Sequence, residues 1–403
     1  MFVFFSYFVF MDFLNLYAES AKTAIGFFWK AGWAFVFGYF ISAMIQAFVP
    51  KSKLTPYMGG ANFKSIRLST LFGAASSSCS FAALATARSL FKKGAHFIAT
   101  VAFMFASTNL VIELGVLIVI FLGWQFLVAE IIGGLLLIAI SSILIKILYP
   151  KKWIKNAREK IEDESTQEES FDWKKRIKSK QGWYLVGNKF VSDWKMVWQE
   201  ILIGFSIAGI VAVVVPTQFW ESMFLMHVEA PEWMIVLENA LVAPFVAAAT
   251  FIGSMGNIPL ATVLSSNGVL FAGIMGFIYS DLMVPPLIKV NAKYYGKKIA
   301  FFIAGIMYVS IVITALLMHY GFLFFDMTPD SQRKVSDATQ FAFDYTFYLN
   351  LSFLFLAVFL VFLNKKHKSK GHSHHHGGST LKKIISYSFI FFIVSGGLIY
   401  VFI

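Results

Sequence analysis

Ser76-Ser77-Ser78-Cys79-Ser80-Phe81-Ala82-Ala83-Leu84-Ala85-Thr86, and far along the chain Ser254-Met255-Gly256-Asn257-Ile258-Pro259-Leu260-Ala261-Thr262, are the two stretches on which the fold turns. Each sets small and polar residues inside apolar sequence and then reads Leu-Ala-Thr. A glycine follows in each case, Gly94 or Gly268. A polar position inside apolar sequence comes next: Ser107-Thr108-Asn109-Leu110 in the first copy and Ser280-Asp281-Leu282 in the second. A duplicated, interrupted apolar segment is a sequence sign of a transporter's central site.

Composition places those segments in a membrane. Hydrophobic residues make up 58% of the chain and charged residues 14%, where a soluble domain carries about 25% charge. Mean hydropathy is +0.70, and apolar runs of about 20 residues, enough to cross a hydrocarbon core, recur. The net charge of +12 sits in short loops between apolar runs. That is the membrane-orientation pattern, so nucleic acid is not expected as a partner. The single cysteine excludes an intrachain disulfide. Met1 to Phe10 has neither a basic n-region nor a small-residue cleavage site, so a removable signal peptide is not expected.

Loop charge then orients the chain. Lys51, Lys53, Lys64 and Arg67 mark one loop as cytoplasmic, and Arg88, Lys92 and Lys93 mark the next one likewise. The apolar stretch from Leu68 to Ala87 lies between these two basic loops, so a single crossing would put one of them outside. A re-entrant hairpin near 68–90, turning at Ser76 to Ser80, avoids the conflict, because irregular backbone at membrane depth is tolerated where protein or a wet cavity shields it. The 217–233 loop carries Glu221, Glu229 and Glu232 without Lys or Arg and is expected outside. A second hairpin near 234–266 would therefore enter from outside and break near Gly253 to Pro259. Small residues at ordinary helix contacts give a similar local pattern.

The expected fold is all-α: a polytopic membrane protein with about nine spanning helices plus two re-entrant hairpins in an inverted-topology repeat. Its parts are an apolar segment 1–26, a first half 27–149, a charged cytoplasmic loop 150–197, a second, inverted half 198–320, and two further helices in 344–403 joined by a His/Lys-rich loop. Residues 1–18 cross or lie at the interface, with the N-terminus expected in the cytoplasm.

Several residues are candidates for substrate contact. Ser76, Ser77, Ser78, Cys79 and Ser80 offer hydroxyls, a thiol and free backbone groups at a hairpin tip, and in lipid they are expensive unless they find partners. Asn109 and Asp281, with Ser280 beside it, hold matching places in the two halves. An ionisable group in an apolar run costs about 3 kcal/mol on insertion scales and is a functional candidate by default. Pro285-Pro286 should end or kink the helix after Asp281. Glu113, four residues after Asn109, falls on the same face of a continuous helix. Asn257 and Pro259 mark the second break, where freed amides and carbonyls can bind ions. Glu130, Glu238 and Asn239 are further polar groups in apolar sequence. His372, His374, His375 and His376 form a cluster that can collect metal, although the lysines around it oppose a cation. No phosphate loop, HExxH, GxSxG or CxxC is present, and neither an enzyme nor a bound cofactor is expected.

The set Ser78-Cys79-Ser80, Leu90-Phe91-Lys92-Lys93-Gly94, Phe105-Ala106-Ser107-Thr108-Asn109-Leu110-Val111-Ile112-Glu113-Leu114-Gly115 and Gly123-Trp124-Gln125-Phe126 resembles a predicted bacterial permease family that includes organoarsenical efflux permeases. Asn257-Ile258-Pro259-Leu260-Ala261 and Phe277-Ile278-Tyr279-Ser280-Asp281-Leu282 resemble its second half. The resemblance implies a multi-pass permease of the cell inner membrane, in some members exporting trivalent organoarsenicals or heavy metals. Arsenic exporters of the family are thought to use paired cysteines, whereas Cys79 here has serine neighbours. The expected function is a secondary transporter of a small metal, metalloid or organometalloid species by alternating access, with a small molecule or ion and the lipid bilayer as partners and a homo-oligomer left open. An intramembrane enzyme or lipid head-group handler, or a non-transporting membrane subunit, is the alternative.

Overall fold

The computed structural model describes residues 2–48, 58–76, 80–161, 173–250, 252–329, 335–338, 341, 343–366 and 380–402. Among the described residues the chain is helical, with no strand. In chain order the helices are α1 (Phe2–Phe48), α2 (Phe63–Ser76), α3 (Ser80–Lys92), α4 (Phe97–Asn109), α5 (Ile112–Phe121), α6 (Trp124–Ile147), α7 (Lys151–Ile161), α8 (Trp173–Lys178) and α9 (Lys180–Val214). The second half continues with α10 (Thr217–Met223), α11 (Glu232–Thr250), α12 (Ser254–Ser266), α13 (Phe271–Ile278), α14 (Pro285–Tyr295), α15 (Lys297–Phe324), α16 (Val335–Ala338), α17 (Tyr345–Lys366) and α18 (Thr380–Phe402).

Seven of these are long and apolar enough to cross a membrane: α1, α6, α9, α11, α15, α17 and α18. The pair α4–α5, bent by 40°, brings the number to eight if it forms one span. Among the described residues seven or eight such helices stand beside the expected number of about nine. Residues 2–48 are one unbroken helix of 47 residues, so residues 1–18 make no separate span. Because α1 is continuous, the N-terminus and the basic stretch after Phe48 lie at opposite ends of it. The stretch from Phe271 to Tyr295 is not one helix. α13 stops at Ile278 and a 3-10 turn, Asp281–Met283, follows. Pro285 then begins α14 at the first helical position. Proline lacks the N–H a continuing helix needs, holds Val284 extended at φ −63°, ψ 138°, and is pre-set to start a helix.

α2 and α3 have 14 and 13 residues, about 20 Å each, too short to cross alone. Both pack on α4, in opposite senses. The His96 amide donates to the Met58 carbonyl at 2.8 Å, and the rings of Phe72 and Phe103 lie 5.5 Å apart, so α2 runs alongside α4 in the same direction. α3 runs back along α4 through the short connection 93–96, where Gly94 takes φ 98°. The outer ends of this pair therefore lie at one level, beside His96.

α11, α12 and α13 repeat the arrangement. The Leu270 amide donates to Asn239 Oδ1 at 3.2 Å, and Gly276 faces Ala240 and Ala243, so α11 and α13 run in the same direction. α12 returns through 267–270, where Gly268 takes φ 87°. The helices that follow are also started alike: Gly123 and Gly296 cap α6 and α15 at φ 113° and 92°, a region L side chains rarely adopt.

The two pairs approach from opposite ends of α6. Tyr149, just past the C-terminus of α6, stacks on His96 at 5.4 Å, and Gly134 packs on Leu110, so α6 and α4 are antiparallel. Phe126 and Phe271 lie 5.2 Å apart, and the Tyr279 hydroxyl reaches the Ala129 carbonyl, so α6 and α13 are parallel. The outer ends of α2–α3 thus sit at the C-terminal end of α6, and those of α11–α12 at its N-terminal end. α1 and α9 cross closely beside both pairs: a Cβ on Gly209 would lie 2.7 Å from Ala24 N and Ser20 O, the close backbone approach that small residues permit in membranes.

Candidate functional site

The inner ends of α3 and α12 border one cavity. Ser80 opens α3, and Gly253 and Ser254 open α12. All three line one small cavity with Tyr39 of α1 and Glu200 of α9. Its volume is about 10 Å³, room for roughly one water. The Tyr39 hydroxyl donates to Met255 Sδ at 3.0 Å and ties α1 to the second tip. Ser77, Ser78 and Cys79 lie outside the described residues, so the first tip is described at its shoulders, Ser76 and Ser80.

Not every candidate at the tips faces this cavity. Ser76 donates to Gly73 O at 3.0 Å. Asn257 works across the second break: its amide donates to Ile252 O at 3.3 Å, and its Oδ1 accepts from the Thr250 hydroxyl at 3.2 Å. Pro259 is buried inside α12. These residues hold the tips in shape, because a chain that leaves a helix at depth must satisfy its backbone groups internally.

A second cluster lies where α4, α6 and the Asp281 turn converge. Asp281 is fully buried. The Thr108 hydroxyl and the Leu282 backbone are its polar neighbours, but neither carboxyl oxygen closes a hydrogen bond of good geometry. Glu130 of α6 is buried with both oxygens unpartnered, and it lies within electrostatic reach of Asp281 and of Tyr279. Among the described residues neither carboxyl makes an ion pair. Two buried carboxyls without a cation form an electrostatically costly pair that a proton or a bound cation would relieve.

Neighbouring groups fix the cluster. The Tyr279 hydroxyl donates to Ala129 O at 2.7 Å and occupies the place a Cβ would take on Gly133. Ser280 donates to Gly276 O at 2.5 Å, within its own helix turn. The Asn109 amide donates to Phe105 O at 3.1 Å and to Thr108 Oγ1 at 3.2 Å, which leaves Oδ1 without a partner.

The shared face of Asn109 and Glu113 is corrected. The helix breaks between them at Leu110–Val111, and Glu113 turns to α1, where it packs on Gly38. Thr108 is the α4 side chain that faces Asp281. Glu238 bonds to its neighbour Asn239 on α11, away from the cluster. His372, His374, His375 and His376 lie outside the described residues. Among the described residues no three His, Cys, Asp or Glu side chains gather as a metal site.

Sequence reasoning placed Glu130 in an apolar span without assigning it to a site. The signal was present, since it obeys the same intramembrane-carboxyl rule as Asp281. Tyr39 and Tyr279 carried no such signal, being residues that ordinary packing explains equally well.

A family model described as a predicted permease, ArsP_1, matches residues 17–320, from within α1 to the end of α15 short of its last turn. A curated protein of Mycobacterium tuberculosis named "Putative permease Rv2963" is 36% identical over 326 residues, covering 78% of this chain and 79% of that protein. No solved structure matches.

Proposed function

The chain belongs to this predicted permease family, and we propose that within it the chain is a secondary transporter working by alternating access. Residues 27–149 and 198–320 act as two inverted halves, and each contributes a re-entrant hairpin. Lys64, Arg67, Arg88, Lys92 and Lys93 at the outer ends of α2–α3 assign that end to the cytoplasm, and Glu221, Glu229 and Glu232 near those of α11–α12 assign the other end to the outside. With α1 continuous, the N-terminus then lies outside.

One observation carries the reading: the α2–α3 and α11–α12 pairs, which approach from opposite ends of α6, border one small cavity at Ser80 and Gly253. A site closed from both sides by short helix ends suits a substrate exposed alternately to each side. Asp281 and Glu130 serve as the coupling pair and take up a proton or cation in one state and release it in the other. The cell inner membrane, the efflux direction and a metal, metalloid or organometalloid cargo rest on the family resemblance. A single cysteine in the chain argues against capture of the cargo by paired thiols.

The test is flux of a metal and metalloid panel into vesicles holding the purified chain, with and without an imposed pH gradient. Gradient-driven flux that Asp281→Asn lowers at least about tenfold, the scale of losing one strong charged contact, supports the reading. Flux with unchanged rate and pH dependence in Asp281→Asn sinks the coupling role. No flux of any panel member from the purified chain, under either condition, favours a non-transporting subunit.

A further inference from the structure

A groove of about 960 Å³ runs between α1, α5, α6 and the start of α17 and ends at Asn109 and Glu130. We propose that it is a binding site for an amphipathic organic cation: a bulky apolar body carrying one positive centre. The volume is that of a small-molecule site, typically about 300–1,000 Å³.

The walls set the body. Val116, Val119, Ile120, Leu127, Ile131 and Leu135 line the groove and offer no polar contact to a hydrated inorganic ion. The inner end sets the charge. Glu130 brings two carboxyl oxygens without partners and Asn109 an unpartnered Oδ1. The Asn109 amide cannot be turned to offer its N–H groups instead, because it would then face the Phe105 carbonyl, its present acceptor at 3.1 Å, oxygen to oxygen. Every unpartnered polar atom at that end is thus an acceptor, and Asp281 behind Glu130 adds negative potential. A positive centre there takes the place of the proton that would otherwise relieve the two buried carboxyls, whereas an anion meets only acceptors.

The mouth fits the same ligand. Lys30, the cation at the rim, is paired with Asp344 at 3.5 Å and lies 5.3 Å from the Tyr345 ring, so its charge is already met. Trp33 and Tyr345 stand beside it, aromatic faces that attract an organic cation on its way in. The inference does not depend on transport, since occupancy of the groove is read without flux.

The experiment measures equilibrium binding of tetraphenylphosphonium and tetraphenylborate, equal in shape and opposite in charge, to the purified full chain in detergent. Saturable binding of the phosphonium is expected, at least about tenfold tighter than the borate, and weakened at least about tenfold by Glu130→Gln, as for a lost charge-assisted contact. Val119→Trp, on the wall at a position 38% exposed where bulk is accommodated without unfolding, should also weaken it. Equal affinity for the two ions overturns the proposal, as does unchanged phosphonium binding in Val119→Trp or in a folded Glu130→Gln. Binding that fails while vesicle flux persists removes this site and leaves the transporter reading standing; the reverse result removes only the latter.

Discussion

The Ser80 hydroxyl of the first hairpin lies 3.8 Å from where a Cβ would stand on Gly253 of the second, and Glu200 Oε2 lies 3.2 Å from the same point. Gly253 has an ordinary extended backbone, φ −80° and ψ 174°, so a side chain there meets crowding at the tip and no backbone strain. Gly253→Ala should fold and keep most activity, since its neighbours are side-chain ends that can shift slightly. Gly253→Leu adds more volume than the cavity holds and should hold the tips apart. Its vesicle flux is expected to fall about tenfold or more with the melting temperature little changed, because overpacking of about 1–3 kcal/mol falls on one state of the cycle. Wild-type flux in Gly253→Leu would remove the tips from the path.

Gly133 and Tyr279 form a lock between α6 and the Asp281 turn. Gly133→Ala places a methyl group on the Tyr279 hydroxyl and ring and should cost about 1–3 kcal/mol by overpacking. Tyr279→Phe loses the bond to Ala129 O, worth about 0.5–1.5 kcal/mol. The double variant should be less destabilised than the sum, since the phenyl ring leaves more room for the methyl. Thermal unfolding in detergent reads all three, and strict additivity would mean the two residues do not share this contact.

Gly204 of α9 faces Gly256 of α12 backbone to backbone. A Cβ on Gly204 would lie 2.6 Å from Gly256 Cα and 2.8 Å from its carbonyl oxygen. No side chain can move aside there, so Gly204→Ala must push the second hairpin off α9. A loss of about 3 kcal/mol, at the upper end for overpacking, is expected. A melting temperature equal to wild type would contradict the close crossing.

His96, between α3 and α4, links stability to pH. Burial, and then the nearby Arg158 charge, hold it below its ordinary value of 6.5. Folded chains then bind fewer protons at this site than unfolded ones as the pH drops below 6.5, so stability falls with falling pH in that window and is unaffected well above it. His96 also caps α4 by accepting from the Ile98 amide. Asn keeps a capping acceptor and does not titrate. His96→Asn should lose less stability than wild type between about pH 7 and about pH 5, read as melting temperature against pH. Equal slopes would exclude His96 as the source.

How far the chain could be read follows from the range of the forces involved. Apolar runs and basic loops are local, and they foretold a helical membrane protein; the break expected over Gly253 to Pro259 ends at Gly253, because α12 already runs from Ser254 through Pro259. The end of the turn at Val284–Pro285 was legible because proline's missing N–H acts on its immediate neighbours, whereas the stop of α13 at Ile278 was not. The break at Leu110–Val111 was not, since no proline or glycine stands there, and a regular helix was assumed to carry Asn109 and Glu113 on one face. A continuous α1 was equally hidden, because an apolar stretch that long does not reveal whether it turns.

By itself the sequence determined that this chain lives in lipid, which ends of its helices carry charge, and that Asp281 is a costly group needing a reason. Those conclusions rest on transfer energies and charge, which belong to residues one at a time. Only the tertiary structure decided that Asp281 stands beside Thr108 and Glu130, that Glu113 leaves Asn109 for Gly38, and that Ser80 and Gly253 border one cavity. Such pairings join positions far apart in the chain through packing, and packing depends on shapes that no single segment carries.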